Sequence, residues 1–239
     1  MELVRRFVFQ RPIAVVGDLH GQLDLLDKLL LELGDRPLVV VGDVIDRGPD
    51  TRGVVARLIE RGAVGVRGNH EEWMLAWLRG EGLDPYAIRP KMGGLATLRS
   101  YGAMEQTHAA LESQAWRVPD EHRQFFEELA LVGDLRVEGA AYWLVHAGLP
   151  AHVPFAGVAY DQVVPWLARH HAKELLWGTH EPEAIPPVDR PVIMGHLVRD
   201  EPLDTGDVLA IDTGAGTVVN GRLTAVLLPE RAFVTVGID

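Results

Sequence analysis

Along the first third of the chain, short uninterrupted apolar runs alternate with stretches whose apolar positions recur every three or four residues. Ile13 to Gly17, Leu38 to Gly42 and Val64 to Gly68 are runs of the first kind, the pattern of strands buried on both faces. Leu23 to Leu33 carries Leu25, Leu26, Leu29, Leu30 and Leu33 at helical spacing, and Gly34 ends it. Such spacing predicts an amphipathic helix with a glycine stop. Thr51 to Glu60, stopped by Arg61 and Gly62, and His70 to Leu78 read as two more helices. The β-α-β-α-β-α order predicts a parallel sheet joined by right-handed crossovers, hence an α/β fold.

The pattern changes at Gly80. Gly82, Pro85, Pro90, Gly93 and Gly94 interrupt the chain before modest helical stretches at Leu95 to Tyr101, Ala109 to Trp116 and Glu121 to Leu129. The strand pattern resumes at Leu135, so residues 80–130 read as a helical cap inserted into one domain spanning 1–239. Tyr142 to Val145 is a further buried strand. A proline-punctuated loop region (Pro150, Pro154, Pro165, Pro182, Pro186, Pro187) leads to a strand at Val192 to Met194. Val208 to Asp212, Leu223 to Leu228 and Ala232 to Val236 are expected to form a closing antiparallel meander.

Polar residues collect where the strands end. The first three are followed by Gly17-Asp18-Leu19-His20-Gly21, by Gly42-Asp43 running to Asp46-Arg47-Gly48, and by Arg67-Gly68-Asn69-His70-Glu71. Two later strands end at His146-Ala147-Gly148 and Gly195-His196. One Gly-Asp at a strand end is commonly a turn or helix cap. Five such clusters are another matter, because ligands of open α/β sheets bind at the carboxyl ends of strands. Mixed carboxylate and imidazole donors without sulfur suit Mn²⁺, Fe or Zn²⁺ better than Mg²⁺ or Ca²⁺. Six candidate donors exceed what one catalytic ion with an open position takes. They fit a pair of divalent ions roughly 3.5–4 Å apart that share a carboxylate and a water.

Composition narrows the chemistry further. The 239 residues include no cysteine, which removes disulfides, thiolate zinc sites and cysteine-nucleophile phosphatase chemistry. A formal charge of −11 argues against nucleic acid or anionic membrane as partners. With no apolar run long enough for a membrane span and no secretory signal pattern, a cytoplasmic location is expected.

The strand-end segments resemble the phosphoprotein phosphatase group of calcineurin-like metallophosphoesterases. They match it nearly residue for residue from Gly17 to His196, and the Asp46-Arg47-Gly48 ending is specific to that group. The resemblance implies two mixed β-sheets packed as a sandwich between helices, an α/β/β/α arrangement. It also implies ligand roles: Asp18 and His20 on a first metal, Asp43 bridging, and Asn69, His146 and His196 on a second, with Mn²⁺ the leading metal. A hydroxide shared by the two ions would attack phosphorus directly. Arg47 and Arg67 each flank a ligand and would grip phosphate oxygens in fork geometry. His70, at a helix start, would protonate the leaving oxygen, and Asp46 would hold its imidazole charged.

The remaining residues carry less chemistry. Glu71 and Glu72 are expected to complement a helix dipole, and Trp73, Met74 and Trp77 to be core. His108, His122, His152, His170, His171 and His180 are expected on the solvated surface. Arg99, Arg190 and Arg199 are candidates for a further phosphate-binding cation. Residues 93–101 look like bacterial protein phosphatase relatives. Residues 210–225 look like both those and the symmetrical diadenosine tetraphosphate hydrolases. The expected substrate is a phosphorylated serine, threonine or tyrosine side chain in a protein, with a dinucleoside polyphosphate or polyphosphate as the alternative small anhydride substrate.

Overall fold

A computed structural model describes residues 3–104, 107–113, 117–152 and 158–237. Strands β2 (Ile13–Val16), β3 (Leu38–Val40) and β4 (Val64–Gly65) form a parallel array, with helices α1 (Leu23–Leu33) and α2 (Thr51–Glu60) as the crossovers and α3 (Asn69–Leu78) after β4. The fully buried burial patterns of β2 and β3 explain their unbroken apolar sequences: side chains on both faces meet protein. Five buried leucines of α1 cover one face of this sheet. At about 1.5–3 kcal/mol for each buried leucine, that stripe alone contributes roughly 8–15 kcal/mol before entropy is counted.

Helices α4 (Gly94–Ser100), α5 (His108–Glu112) and α6 (Asp120–Glu128) follow. The three helices expected there are present within a residue or two at their starts, and Trp116, the expected end of the second, lies outside the described residues. Leu98, Leu111 and Phe126 join the same core as α1, α2 and α3. These helices therefore share their packing with the first three.

The second sheet takes β1 (Val4–Phe9), β5 (Val132–Val137), β6 (Ala140–Val145), β7 (Val192–Met194), β9 (Val208–Ala210) and β8 (Leu203–Asp204), paired in the order β1-β5-β6-β7-β9-β8. The first is completed by β10 (Leu223–Leu228) and β11 (Ala232–Val236), in the order β11-β10-β2-β3-β4. Phe7, Val15, Val39, Leu144, Ile193, Leu209 and Val226 fill the space between the sheets. The outer face of the second sheet packs on α7 (Val163–His170) and α8 (Ala172–Trp177) through Trp143, Val145, Leu167 and Leu175. Two mixed sheets with helices outside both give the α/β/β/α sandwich.

Two expectations need correction. The closing segments do not form one meander: β10 and β11 are an antiparallel hairpin, but β9 belongs to the other sheet, parallel to β7 and antiparallel to β8. An apolar triplet buried on both faces announces a strand without saying which sheet it enters. The proline-punctuated region also contains α7 and α8. Pro165 is the third residue of α7, within the first turn, where a helix leaves its N–H groups unbonded and proline costs no hydrogen bond.

Candidate metal centre

The clusters named from the sequence follow β2, β3, β4, β6 and β7, and they meet in one crevice. Asp43 lies at its middle, with its two carboxylate oxygens turned to different neighbours. Oδ2 is 3.7 Å from His20 Nε2 and 3.8 Å from His70 Nε2, whereas Oδ1 is 3.4 Å from His146 Nε2. His20, Asp43 and His70 bring their ligand atoms within 4.8 Å of one another, and so do Asp43, His146 and His196. One carboxylate thus belongs to two donor groups. Asn69 Oδ1 lies 3.0 Å from His146 Nε2, and Asp18 receives the His196 backbone N–H at 3.1 Å.

Close packing and unusual backbone hold this arrangement. A Cβ on Gly195 would fall 2.0 Å from Asp18 Oδ1, and one on Gly68 would fall 2.0 Å from Asp43 Oδ1. Only hydrogen leaves room for either carboxylate. His20, Asp43, Asp46, Arg47 and His196 all adopt positive φ, between 44° and 74°. That region disfavours side chains other than glycine, and such strain concentrates at functional sites.

Neighbours orient the imidazoles. His20 Nδ1 donates to the Ile45 carbonyl at 2.8 Å, and His146 Nδ1 to that of Val41 at 2.9 Å. Each bond places the proton on Nδ1 and turns Nε2 into the crevice, as a metal-binding histidine requires. Burial holds His20 well below the ordinary imidazole range and lowers His196 to about 4, with His146 adding to the effect. Both are neutral at physiological pH. Burial opposes a charge on His146, but Asp43, Asp18 and Glu71 outweigh it and push the group up to about 10.

The carboxylates respond in the opposite sense. Burial, then repulsion from Asp212 and Asp43, raises Asp18 well above its ordinary value. Burial also takes Asp212 up to about 6 and, with Asp43, Glu71 up to about 7. Only Asp43 is held low: burial works against its charge, but His146, His70 and His20 surround it. Several carboxylates buried together, beside two imidazoles held neutral, are costly to ionise unless positive charge lies among them. In this structure the Arg47 guanidinium supplies some, meeting His20 Nε2 directly and lying 3.1 Å from His70 Nε2. Oxygen and imidazole donors around a demand for cations fit two divalent ions.

Beside this group stands His70. Its Nδ1 meets Asp46 Oδ2 at 2.6 Å, and that carboxylate also accepts from Trp73 Nε1 at 2.9 Å and Thr97 Oγ1 at 2.7 Å. Burial opposes protonation of His70, yet Asp43 and Asp46 together raise it above the ordinary range.

Other expected residues have different surroundings. Arg67 is buried, with Nε 2.5 Å from Glu72 Oε1 and Nη1 on the Leu129 carbonyl. Arg190 is engaged by Asp134 and Asp189, and Arg199 by Glu181 and Glu183, while Arg99 is exposed. Trp73, Met74 and Trp77 are core as expected. His122 is not on the surface: it is buried against the Tyr101 hydroxyl, 2.8 Å from Nδ1. The amphipathic stripe of α6, with Phe125 and Phe126, carries it inward.

Two residues do more here than their local sequence announces. Glu71 does more than complement a dipole, for it accepts from the backbone N–H groups of Asp43, Val44 and Gly68 at 2.9, 2.9 and 2.7 Å. It thereby ties the β3 and β4 loops together. Asp212 follows β9 and joins the carboxylate group, its Oδ1 accepting from Gly214 N–H at 2.9 Å. Its Asp-Thr-Gly context is glycine-flanked like the other strand ends, but the apolar run from Val208 makes Asp212 read as part of the strand, which ends at Ala210.

The profile of the calcineurin-like phosphoesterases matches residues 11–221. The chain is 28% identical over 222 residues to serine/threonine-protein phosphatase 1 of Salmonella typhimurium, covering 90% of each. It is 25% identical over 259 residues to an asymmetrical bis(5'-nucleosyl)-tetraphosphatase of Oceanobacillus iheyensis, covering 94% of this chain and 91% of that one. In fold it is similar to a cold-active protein-tyrosine phosphatase of a psychrophilic Shewanella, with a TM-score of 0.56 at 15% identity over 100% of this chain and 83% of the other.

Proposed function

From its membership of the calcineurin-like phosphoesterase family, and hence of the hydrolases, we propose that this chain cleaves a P–O bond of a phosphate ester or anhydride at a pair of Mn²⁺ ions. Asp43 carries this reading, since its two oxygens face two separate donor groups 3.4–3.8 Å away. Asp18 and His20 would hold one ion, Asn69, His146 and His196 the other, and Asp43 both. The bound ions would neutralise phosphate oxygens and lower the pKa of the attacking water towards about 7.

The remaining work falls to this chain's own side chains. Arg47, half-buried beside His20 and His70, would turn from imidazole nitrogens to phosphate oxygens and offset charge as the bond breaks. His70 Nε2 would protonate the leaving oxygen, with Asp46 fixing the ring through Nδ1 and favouring the charged form. Trp73 and Thr97 keep the Asp46 carboxylate from rotating. Because His70 also lies in a donor group with His20 and Asp43, its role as acid is separable from a ligand's role by metal content.

A phosphoprotein and a dinucleoside polyphosphate both supply the required bond. The assay measures p-nitrophenyl phosphate hydrolysis by chelator-treated protein with Mn²⁺ restored. Release of phosphate that depends on added metal and vanishes in Asp43→Asn is the expected result. A fully metal-loaded protein inactive on this ester, on a phosphopeptide and on diadenosine tetraphosphate would end the reading.

A further inference from the structure

Arg47 also faces outward. On its far side lies a cavity of about 650 Å³ walled by the segment leading into α4 and by the loop after β9, with Arg89, Lys91, Ile88, Leu95 and Thr217 among its lining residues. Cavities of this size hold small molecules. Its lining contains three cationic side chains, counting Arg47, and no carboxylate.

That charge pattern runs against the rest of the molecule. The chain has 34 acidic residues against 23 lysines and arginines, and many of its arginines lie on carboxylates, as Arg6, Arg57, Arg222 and Arg231 do. Among the described residues, Arg89 and Lys91 form no ion pair. Arg89 rests over the Tyr86 ring, 5.7 Å from its centroid, an arrangement that leaves the guanidinium edge available. Thr217 Oγ1 accepts from Arg47 Nη1 at 2.7 Å, so the cavity and the ligand cluster share the same guanidinium.

We propose that this cavity is a second anion subsite, in which Arg89 and Lys91 bind phosphates next to the one being cleaved, and that the substrate is therefore a phosphoanhydride chain such as a nucleoside or dinucleoside polyphosphate. The inference rests on the phosphoesterase reading of the ligand cluster. A single phosphate on a protein side chain meets its charge at the ions and Arg47, leaving Arg89 and Lys91 without a counter-charge. An anhydride chain places further anionic groups directly beside the reacting one. Ile88, Leu95 and Ala96, half-buried in the same walls, supply its apolar side. In the cleavage, the water oxygen bonds to phosphorus and the bridging oxygen departs with its electron pair. One water proton stays on the new P–OH, His70 gives its proton to the departing oxygen, and the second water proton restores His70, so the sum is one water added across the P–O–P bond.

The test pairs binding with kinetics in Arg89→Ala/Lys91→Ala. Calorimetry on chelator-treated protein uses inorganic tripolyphosphate and orthophosphate as probes. Wild type should favour tripolyphosphate, and the variant should lose most of that preference, by about tenfold for each cation removed. In the Mn²⁺-loaded enzyme, KM for diadenosine tetraphosphate should rise at least ~tenfold more than KM for p-nitrophenyl phosphate, with little effect on kcat. Equal tripolyphosphate binding by variant and wild type would overturn the proposal. So would a KM increase confined to a phosphopeptide with acidic neighbours, which would make the cavity a reader of peptide carboxylates. Loaded wild type inactive on p-nitrophenyl phosphate, on a phosphopeptide and on diadenosine tetraphosphate would instead defeat the phosphoesterase reading and leave the metal-free binding result to judge the subsite alone.

Discussion

Replacing Glu71 by glutamine removes a charge while preserving shape, and the structure fixes what that costs. The carboxylate is fully buried. Its Oε2 accepts from the N–H groups of Asp43 and Gly68, and Oε1 from that of Val44. The better amide orientation keeps oxygen at the two-bond position and turns the NH₂ towards Val44 N–H, so two donors face each other. One hydrogen bond to a charged acceptor is lost and a buried donor is orphaned, about 2–4 kcal/mol in all. For a domain of this size, that corresponds to a Tm lower by roughly 4–16 °C. Because the same carboxylate positions Asp43 and the residue before Asn69, metal affinity should fall about 10–100-fold, as when other outer contacts of metal ligands are removed. The assay is calorimetric melting at pH 8, above the value of about 7 to which Glu71 is raised, together with metal titration at the same pH. A variant melting within a degree of wild type and binding two ions equally tightly would refute the idea that Glu71 clamps the two loops.

Three further outcomes follow from the site. His70→Ala should lower kcat by roughly 10²–10⁴-fold with two metals still bound, and loss of an ion by elemental analysis would make His70 a ligand. Asp43→Asn should weaken both ions together, so a variant that releases one and keeps the other tightly would contradict the bridge. In chelator, the metal-free protein should lose stability as pH rises from 6.5 towards 10. His146 is raised in the fold to about 10, so its contribution is complete below its unfolded value near 6.5 and disappears as pH climbs through 10. Glu71 and Asp212, raised to about 7 and about 6, act in the same direction at lower pH. His196, lowered to about 4, opposes them only below about 6.5. A metal-free Tm that is flat or increasing between pH 7 and 10 would contradict this assignment.

Much of this protein is legible one segment at a time. Unbroken apolar runs at Ile13 to Val16 and Leu38 to Val40 require burial on both faces, and the leucine spacing of residues 23–33 requires a helix between them. Glycine beside Asp18, Asp43, Asn69 and His196 marks loops where the backbone turns sharply at strand ends, and those motifs are specific enough to carry the family. What remained hidden depends on distance between segments far apart in the chain. Asp212 joins the carboxylates only because β9 enters the sheet beside β7 instead of pairing with β10. Glu71 serves the β3 loop only because two parallel strands set that loop beside the start of α3. His122 is buried because Tyr101, just past the end of α4, meets its ring, and Arg89 and Lys91 gain meaning from Arg47, more than forty residues earlier. Local periodicity reports whether a residue is buried and in which kind of element. Which partners it meets, and so whether a carboxylate caps a helix, binds a cation or clamps a loop, is decided by the packing of the two sheets.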